Sequence, residues 1–209
     1  MRLSACAWGL PVAAPEAVDG MTGLGFEAVD LRPFDFAVDP ARQRLRQSGL
    51  RVCSLAASFG LPEQASLDSG DPVVLAGAVA HTERCMEHAA DLGCEAVYLV
   101  PGTDPGAAAL KRYAAVVAAL SQRAADRGLR LCIEHFPGTC LPTVAATRAF
   151  VEQVDHPALH VLVDLGHAQI EDIPLAAAVE AAGDRLGYVH LDDNDGVGDQ
   201  HLGLLEGVM

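Results

Sequence analysis

The sequence predicts an α/β protein, a (β/α) TIM barrel that is incomplete at its C-terminal end and has about seven of the usual eight βα units. Three observations lead there. A unit of short apolar strand, loop, Ala-rich helix and closing Gly repeats along the chain, which implies a parallel sheet. No GxGxxG or GxxxxGK[ST] loop supports a nucleotide-binding open sheet instead. Three late strands each end in a residue able to bind a metal, and barrel sites lie at strand C-termini. The 209 residues fit one domain, 1–209, with a substantial core.

The elements follow in order. Residues 2–8 read as the first strand, and a helix over 14–24 leads through Gly25 to a strand at 26–31. A helix at 40–48 leads through Gly49 to a strand at 50–56. After a looser loop, 58–71, comes a long helix at 72–92 with Pro72 at its start and Gly93 at its end. The strand at 96–100 is closed by Pro101 and Gly102, and a helix over 105–127 stops at Gly128. The strand ending at Glu134 is followed by a loop and by a helix to Val154 that Thr143 should cap. A strand at 159–164, a helix at 174–182 and a strand at 186–190 complete the series. A polar loop, 192–201, follows, and one helix and one strand of the full barrel are expected to be missing. The unpaired edges of the first and seventh strands then predict lower stability or homo-oligomerisation.

Composition narrows the function classes. Hydrophobic residues are 51% and aromatics 5%, and no apolar run is long enough to cross a bilayer, so no membrane partner is expected. The first residues lack the basic region and sustained apolar core of a signal peptide. The formal charge of −14 opposes phosphate backbones, so no nucleic-acid partner is expected. Arg42, Arg44 and Arg46 read as a solvated helix face. The six cysteines have no CxxC spacing and read as buried reduced thiols of a cytoplasmic protein.

The chemistry gathers between Leu129 and His201. Apolar runs end in Glu134, Asp164 and His190, and such side chains are costly in an apolar setting unless paired or coordinating something. Successive strand residues face opposite sides of a sheet. If Glu134 points inward, so does Cys132, while Leu131 and Ile133 point out. Asp164 inward puts Val161 and Val163 outside, and His190 inward puts Val189 and Leu191 outside. One register therefore serves all three, with aliphatic side chains where helices would pack. Singly, each residue has an ordinary explanation, since Asp after a strand often caps a helix. Their shared register favours a metal site.

That O/N donor set suits Mn²⁺, Co²⁺, Fe²⁺, Mg²⁺ or Zn²⁺ without selecting among them. His167, on the loop above Asp164, could orient a substrate hydroxyl, act in acid/base chemistry or bind a second metal. Asp199 and His201 point the same way if extended, as further ligands or substrate contacts. Trp8 could line a sugar pocket or simply pack. His135, Asp192 and Asp193 lie beside these residues and could support them. His81, Cys85 and His88 share a helix face at i, i+4 and i+7, a spacing that helix packing also produces.

These stretches resemble the xylose isomerase-like TIM-barrel superfamily of sugar isomerases and epimerases, dehydratases and endonuclease IV. The matching segments are Gly25 to Leu31, Ala90 to Gly93, Ile133-Glu134-His135, Val163-Asp164-Leu165-Gly166-His167, Val189 to Asp193, and Asp199-Gln200-His201. The resemblance implies that Glu134, Asp164 and His190 are three of four ligands of a divalent metal ion and that His167 contacts substrate. It implies a fourth ligand, a Glu at the end of an eighth strand, which these 209 residues do not include; Glu206 lies in the loop after strand seven. No histidine follows the third or fourth strand, unlike the endonuclease IV branch. The expected activity is isomerisation or epimerisation of a small sugar or related polyol/keto compound through an enediolate, with Glu134 as a base. A dehydratase of 3-dehydroshikimate or inosose type, and a truncated non-catalytic barrel, are the alternatives.

Overall fold

Gly49, Gly93 and Gly128 take left-handed φ angles of 74°, 71° and 69° at the points where a helix gives way to the next strand. Only a residue without Cβ adopts that conformation freely, so the punctuation visible in the sequence is built into the backbone. The computed structural model describes residues 3–209. Its strands are β1 (Ala5–Cys6), β2 (Ala28–Leu31), β3 (Arg51–Ala56), β4 (Ala96–Leu99), β5 (Arg130–Glu134), β6 (Leu159–Asp164) and β7 (Leu186–His190). They form one all-parallel sheet in chain order, β1 to β7. The helices are α1 (Ala14–Gly23), α2 (Ala41–Ser48), α3 (Pro72–Asp91), α4 (Ala107–Ala125), α5 (Val144–Val154), α6 (Leu165–Ile170) and α7 (Leu175–Ala182).

Helix starts follow the expected chemistry. Asp71 accepts from the N–H groups of Val73 and Val74 ahead of α3, whose first residue is Pro72. Thr143 accepts from the N–H of Ala146 and caps α5. These side chains satisfy donors that the first turn leaves without intrahelical partners.

The two faces of the sheet carry different cores. Val29, Leu31, Val52, Leu55, Val97, Leu99, Leu131, Ile133, Val161 and Val163 pack outward into the main core with the helices. Ala56, Ala96, Tyr98, Cys132 and Leu162 form a second, inner cluster. The sheet curves enough that Tyr188 of β7 donates a hydrogen bond to Asp30 of β2 across the interior. The inward and outward registers expected for β5 and β6 are therefore realised. Val189 on β7 and Leu191 just beyond it are exposed rather than helix-covered.

Three expectations need correction. The first strand is shorter than 2–8: Ala5–Cys6 is extended, and Ala7–Gly9 is a 3-10 turn that places Trp8 beyond the strand. Arg2 lies outside the described residues. The stretch after Asp164 is not a loop but the six-residue helix α6, capped by Asp164 and too short to show helical periodicity. Asp199 and His201 do not lie on an extended segment, because His201 has a φ of 49°. Among the described residues no disulfide forms. No helix of the described residues is long and apolar enough to cross a membrane.

Candidate metal and substrate site

Parallel pairing brings the last residues of neighbouring strands together. Asp164 and His190 are register partners on β6 and β7, and Glu134 ends β5 beside Leu162. His190 Nδ1 lies 2.9 Å from Glu134 Oε1 and 3.4 Å from Asp164 Oδ2. Both carboxylates are buried, with 4% and 1% of their residues exposed. The His190 ring sits between two aromatic edges, with centroids 4.9 Å from Tyr98 and 5.9 Å from Tyr188.

Electrostatics follow from this crowding. Burial alone would push the His190 pKa down, but hydrogen bonds and charge from Asp164 and Glu134 outweigh it and raise the pKa to about 10. Burial likewise pushes the Asp164 carboxyl up. Its hydrogen bond to His190, the nearby His167 and His190 charges and the N–H of His167 prevail, leaving it below the usual carboxylate range. The imidazolium is thus the cation that makes two adjacent buried carboxylates tolerable.

The same place fits a divalent ion. Glu134, Asp164 and His167 each bring a ligand atom within 4.8 Å of the others, and His190 brings Nδ1 to 2.9 and 3.4 Å from the two carboxylates, so either imidazole can complete the donor set. His190 turns Nδ1 to both carboxylates, while the buried Nε2 atoms of His190 and His167 have no hydrogen-bond partner among the described residues. Two carboxylates and an imidazole are a donor set that Mn²⁺, Co²⁺, Fe²⁺, Mg²⁺ or Zn²⁺ accepts.

His167 stands next to this group on the first turn of α6, and 1% of it is exposed. Its Nδ1–H donates to the His135 carbonyl at 2.9 Å, which fixes the ring and leaves Nε2 to face Asp199 Oδ2 at 3.6 Å. Phe136 packs on it with a centroid distance of 4.2 Å. His135 is itself buried, and its Nε2 lies 3.1 Å from the carbonyl oxygen and 3.2 Å from the amide nitrogen of Asp164.

Asp199 and His201 join through His167 rather than directly. His201 Nε2 is 3.4 Å from Asp199 Oδ1, and its Nδ1 is hydrogen-bonded to Asp192. That bond, aided by the charge of Asp199 against partial burial, raises the His201 pKa to about 9. Asp193 instead anchors the C-terminal loop by accepting N–H bonds from Asn194, Leu205, Gly207 and Met209.

Trp8 packs against the inner cluster and meets Phe59 at a centroid distance of 5.6 Å, with the Arg32 guanidinium 4.9 Å from the Phe59 ring centroid. Sequence reasoning passed over Phe59. The available signal was its place three residues after β3 in a chain poor in aromatics. His81, Cys85 and His88 are buried on α3; His81 Nε2 lies 3.1 and 3.0 Å from the carbonyls of Ala57 and Phe59, so this face braces the loop carrying Phe59.

Comparison with known proteins accords with this fold and residue arrangement. Residues 19–209 match the family model described as xylose isomerase-like TIM barrel, and the chain belongs to that family. It is 30% identical over 205 residues to the L-ribulose 3-epimerase of Methylomonas sp. (strain DH-1), covering 92% of this chain and 68% of that one. It is 28% identical to the ketose 3-epimerase of Arthrobacter globiformis, covering 87% and 64%. A solved L-ribulose 3-epimerase superposes with a TM-score of 0.83 at 25% identity, covering 100% of this chain and 73% of that one. The chain thus spans about two thirds of the length of its curated relatives.

Proposed function

We propose that this protein is a metal-dependent ketose 3-epimerase. The observation that carries this reading is the meeting of Glu134, Asp164 and His190 at adjacent strand ends, in a chain similar to proteins named for that activity. Glu134, Asp164 and His190 would hold the divalent ion. When bound, the ion supplies positive charge to adjacent substrate oxygens, which favours loss of a proton next to a carbonyl.

The chain's own residues do the rest. The C3 proton of a 2-ketose is acidic because the resulting negative charge spreads onto the C2 oxygen as an enediolate. Glu134, buried at the sheet end, would take that proton. His167, locked through Nδ1, presents Nε2 to a substrate hydroxyl, with Asp199 beside it and His201 behind. Trp8 and Phe59 would offer an apolar wall to the carbon face of the sugar. Inversion returns a proton to the opposite face, a task that the family resemblance gives to a strand-eight glutamate.

The test is incubation of the Mn²⁺- or Co²⁺-loaded protein in D₂O with L-ribulose, D-psicose, D-fructose and D-tagatose, followed by NMR. Deuterium at C3, with or without the epimer, supports the reading. Absence of both from every ketose, with metal bound, would overturn it. Loss of water from an inosose in the same assay would move the assignment to a dehydratase.

A further inference from the structure

Asp30 is a buried carboxylate that the proposed reaction does not use. It lies on β2 inside the sheet and is 2% exposed. Four contacts satisfy it. Tyr188 Oη donates to its two oxygens at 2.8 and 3.0 Å, the Ser4 hydroxyl donates to Oδ2 at 3.0 Å, and the Ser54 N–H donates to Oδ1 at 3.0 Å. Ser4 Oγ is also 3.0 Å from Tyr188 Oη. The network ties the segment before β1, β2 and β3 to β7.

Its consequence is felt two residues along β7. Tyr188 and His190 share the inner face, as alternation requires. Among the described residues β7 pairs on one side only, with β6, and that pairing shifts register between Val161 and Leu162. Such an irregularity re-aims the side chains that follow it. One-sided, irregular pairing is a weak constraint on His190. The Tyr188–Asp30 bond attaches the strand from the opposite side of the interior, and the Tyr188 ring lies 5.9 Å from the His190 ring.

We infer that Asp30 and Tyr188 are a positioning pair that aims His190 at Glu134 and Asp164 from across the barrel interior. The inference rests on the site reading above and adds residues outside it. Neither member would touch substrate or metal; the hydroxyl and carboxylate act through β7. Groups hydrogen-bonded directly to a metal ligand commonly contribute about 10- to 100-fold to metal affinity, and a pair acting one step removed should reach the lower end of that range.

The experiment compares the parent with Tyr188→Phe and Asp30→Asn, using Co²⁺ as probe and its visible absorption as readout. Tyr188→Phe keeps the ring and removes one hydroxyl. It should weaken Co²⁺ binding about tenfold and alter the band. Leu131→Ala, in the outer core, should lower the melting temperature yet keep the parent band and affinity. A Tyr188→Phe protein with the parent's affinity and spectrum would overturn the inference, whatever its melting temperature. If the parent itself binds no Co²⁺, the metal reading is what fails. The inference is then decided in the metal-free protein by the downfield ring N–H signal of His190, identified by its loss in His190→Asn: a shift in Tyr188→Phe sustains it, and an unmoved signal overturns it.

Discussion

Asp164 Oδ1 accepts the backbone N–H of His167 at 3.0 Å, while Oδ2 of the same carboxylate lies 3.4 Å from His190 Nδ1. One side chain thus caps the helix that presents His167 and faces the strand-end cluster. The two roles separate by substitution. Asparagine keeps the capping oxygen and removes the charge, so Asp164→Asn should lose divalent-metal binding and the ion pair with His190 but keep the cap of α6. Asp164→Ala also loses the cap, which is worth about 0.5–2 kcal/mol. Metal content and urea unfolding, measured on both, check this; an Asn variant that retains stoichiometric metal would remove Asp164 from the ligand set.

The raised pKa of His190 makes a pH prediction. Without metal the ring is an imidazolium below about pH 10, held so by Asp164 and Glu134 against the effect of burial. An imidazole binds metal only after losing that proton, so metal binding should release a proton from His190 below about pH 10. Affinity should therefore rise with pH through the neutral range. The sign for folding is opposite. A His pKa raised above its unfolded value of about 6.5 stabilises the metal-free fold below that value, and this contribution is lost as pH rises through about 10. Calorimetric titration in buffers of different ionisation enthalpy measures the proton release; no proton released at pH 7 would contradict the imidazolium assignment.

Much of this was legible in the sequence because it depends on short-range rules. The alternation in Leu131-Cys132-Ile133-Glu134 and Leu162-Val163-Asp164 assigned faces correctly, since the period of a strand is fixed. Trp8 and α6 were harder. A 3-10 turn of three residues and a helix of six carry too little periodicity to be told from strand or loop. The aromatic meeting of Trp8 with Phe59 and the Asp30–Tyr188 bond join residues 51 and 158 positions apart in the chain. Only tertiary folding creates such contacts, and no local pattern announces them.

Gly166 explains why the Asp-Leu-Gly-His segment needs its glycine. A Cβ there would collide with Asp192 Oδ1 and come 3.2 Å from Asn194 Nδ2, whose amide donates to the Gly166 carbonyl at 2.8 Å. The loop after β7 therefore docks directly on α6. Gly166→Ala should destabilise the fold by about 1–3 kcal/mol through overpacking. It should also loosen Asp192 and, through it, His201. Thermal unfolding tests the first effect, and a melting temperature equal to the parent's would show that the loop yields at no cost.

Substitution of His167 tests whether substrate recognition and metal binding are separate functions of the site. Its Nδ1–H is committed to the His135 carbonyl, and its buried Nε2 has no hydrogen-bond partner among the described residues and faces Asp199 at 3.6 Å. With Nε2 as the proposed substrate contact rather than a ligand, His167→Ala should retain the parent's metal stoichiometry. Its kcat/KM on the best ketose should fall on the order of 100-fold, the lower end of what a positioned acid/base group contributes. If Nε2 only binds the ground state, KM rises and kcat stays; if it also stabilises the developing charge, kcat falls too. Steady-state kinetics beside metal analysis distinguishes these outcomes. Loss of metal from His167→Ala would instead place His167 among the ligands, with Glu134 and Asp164.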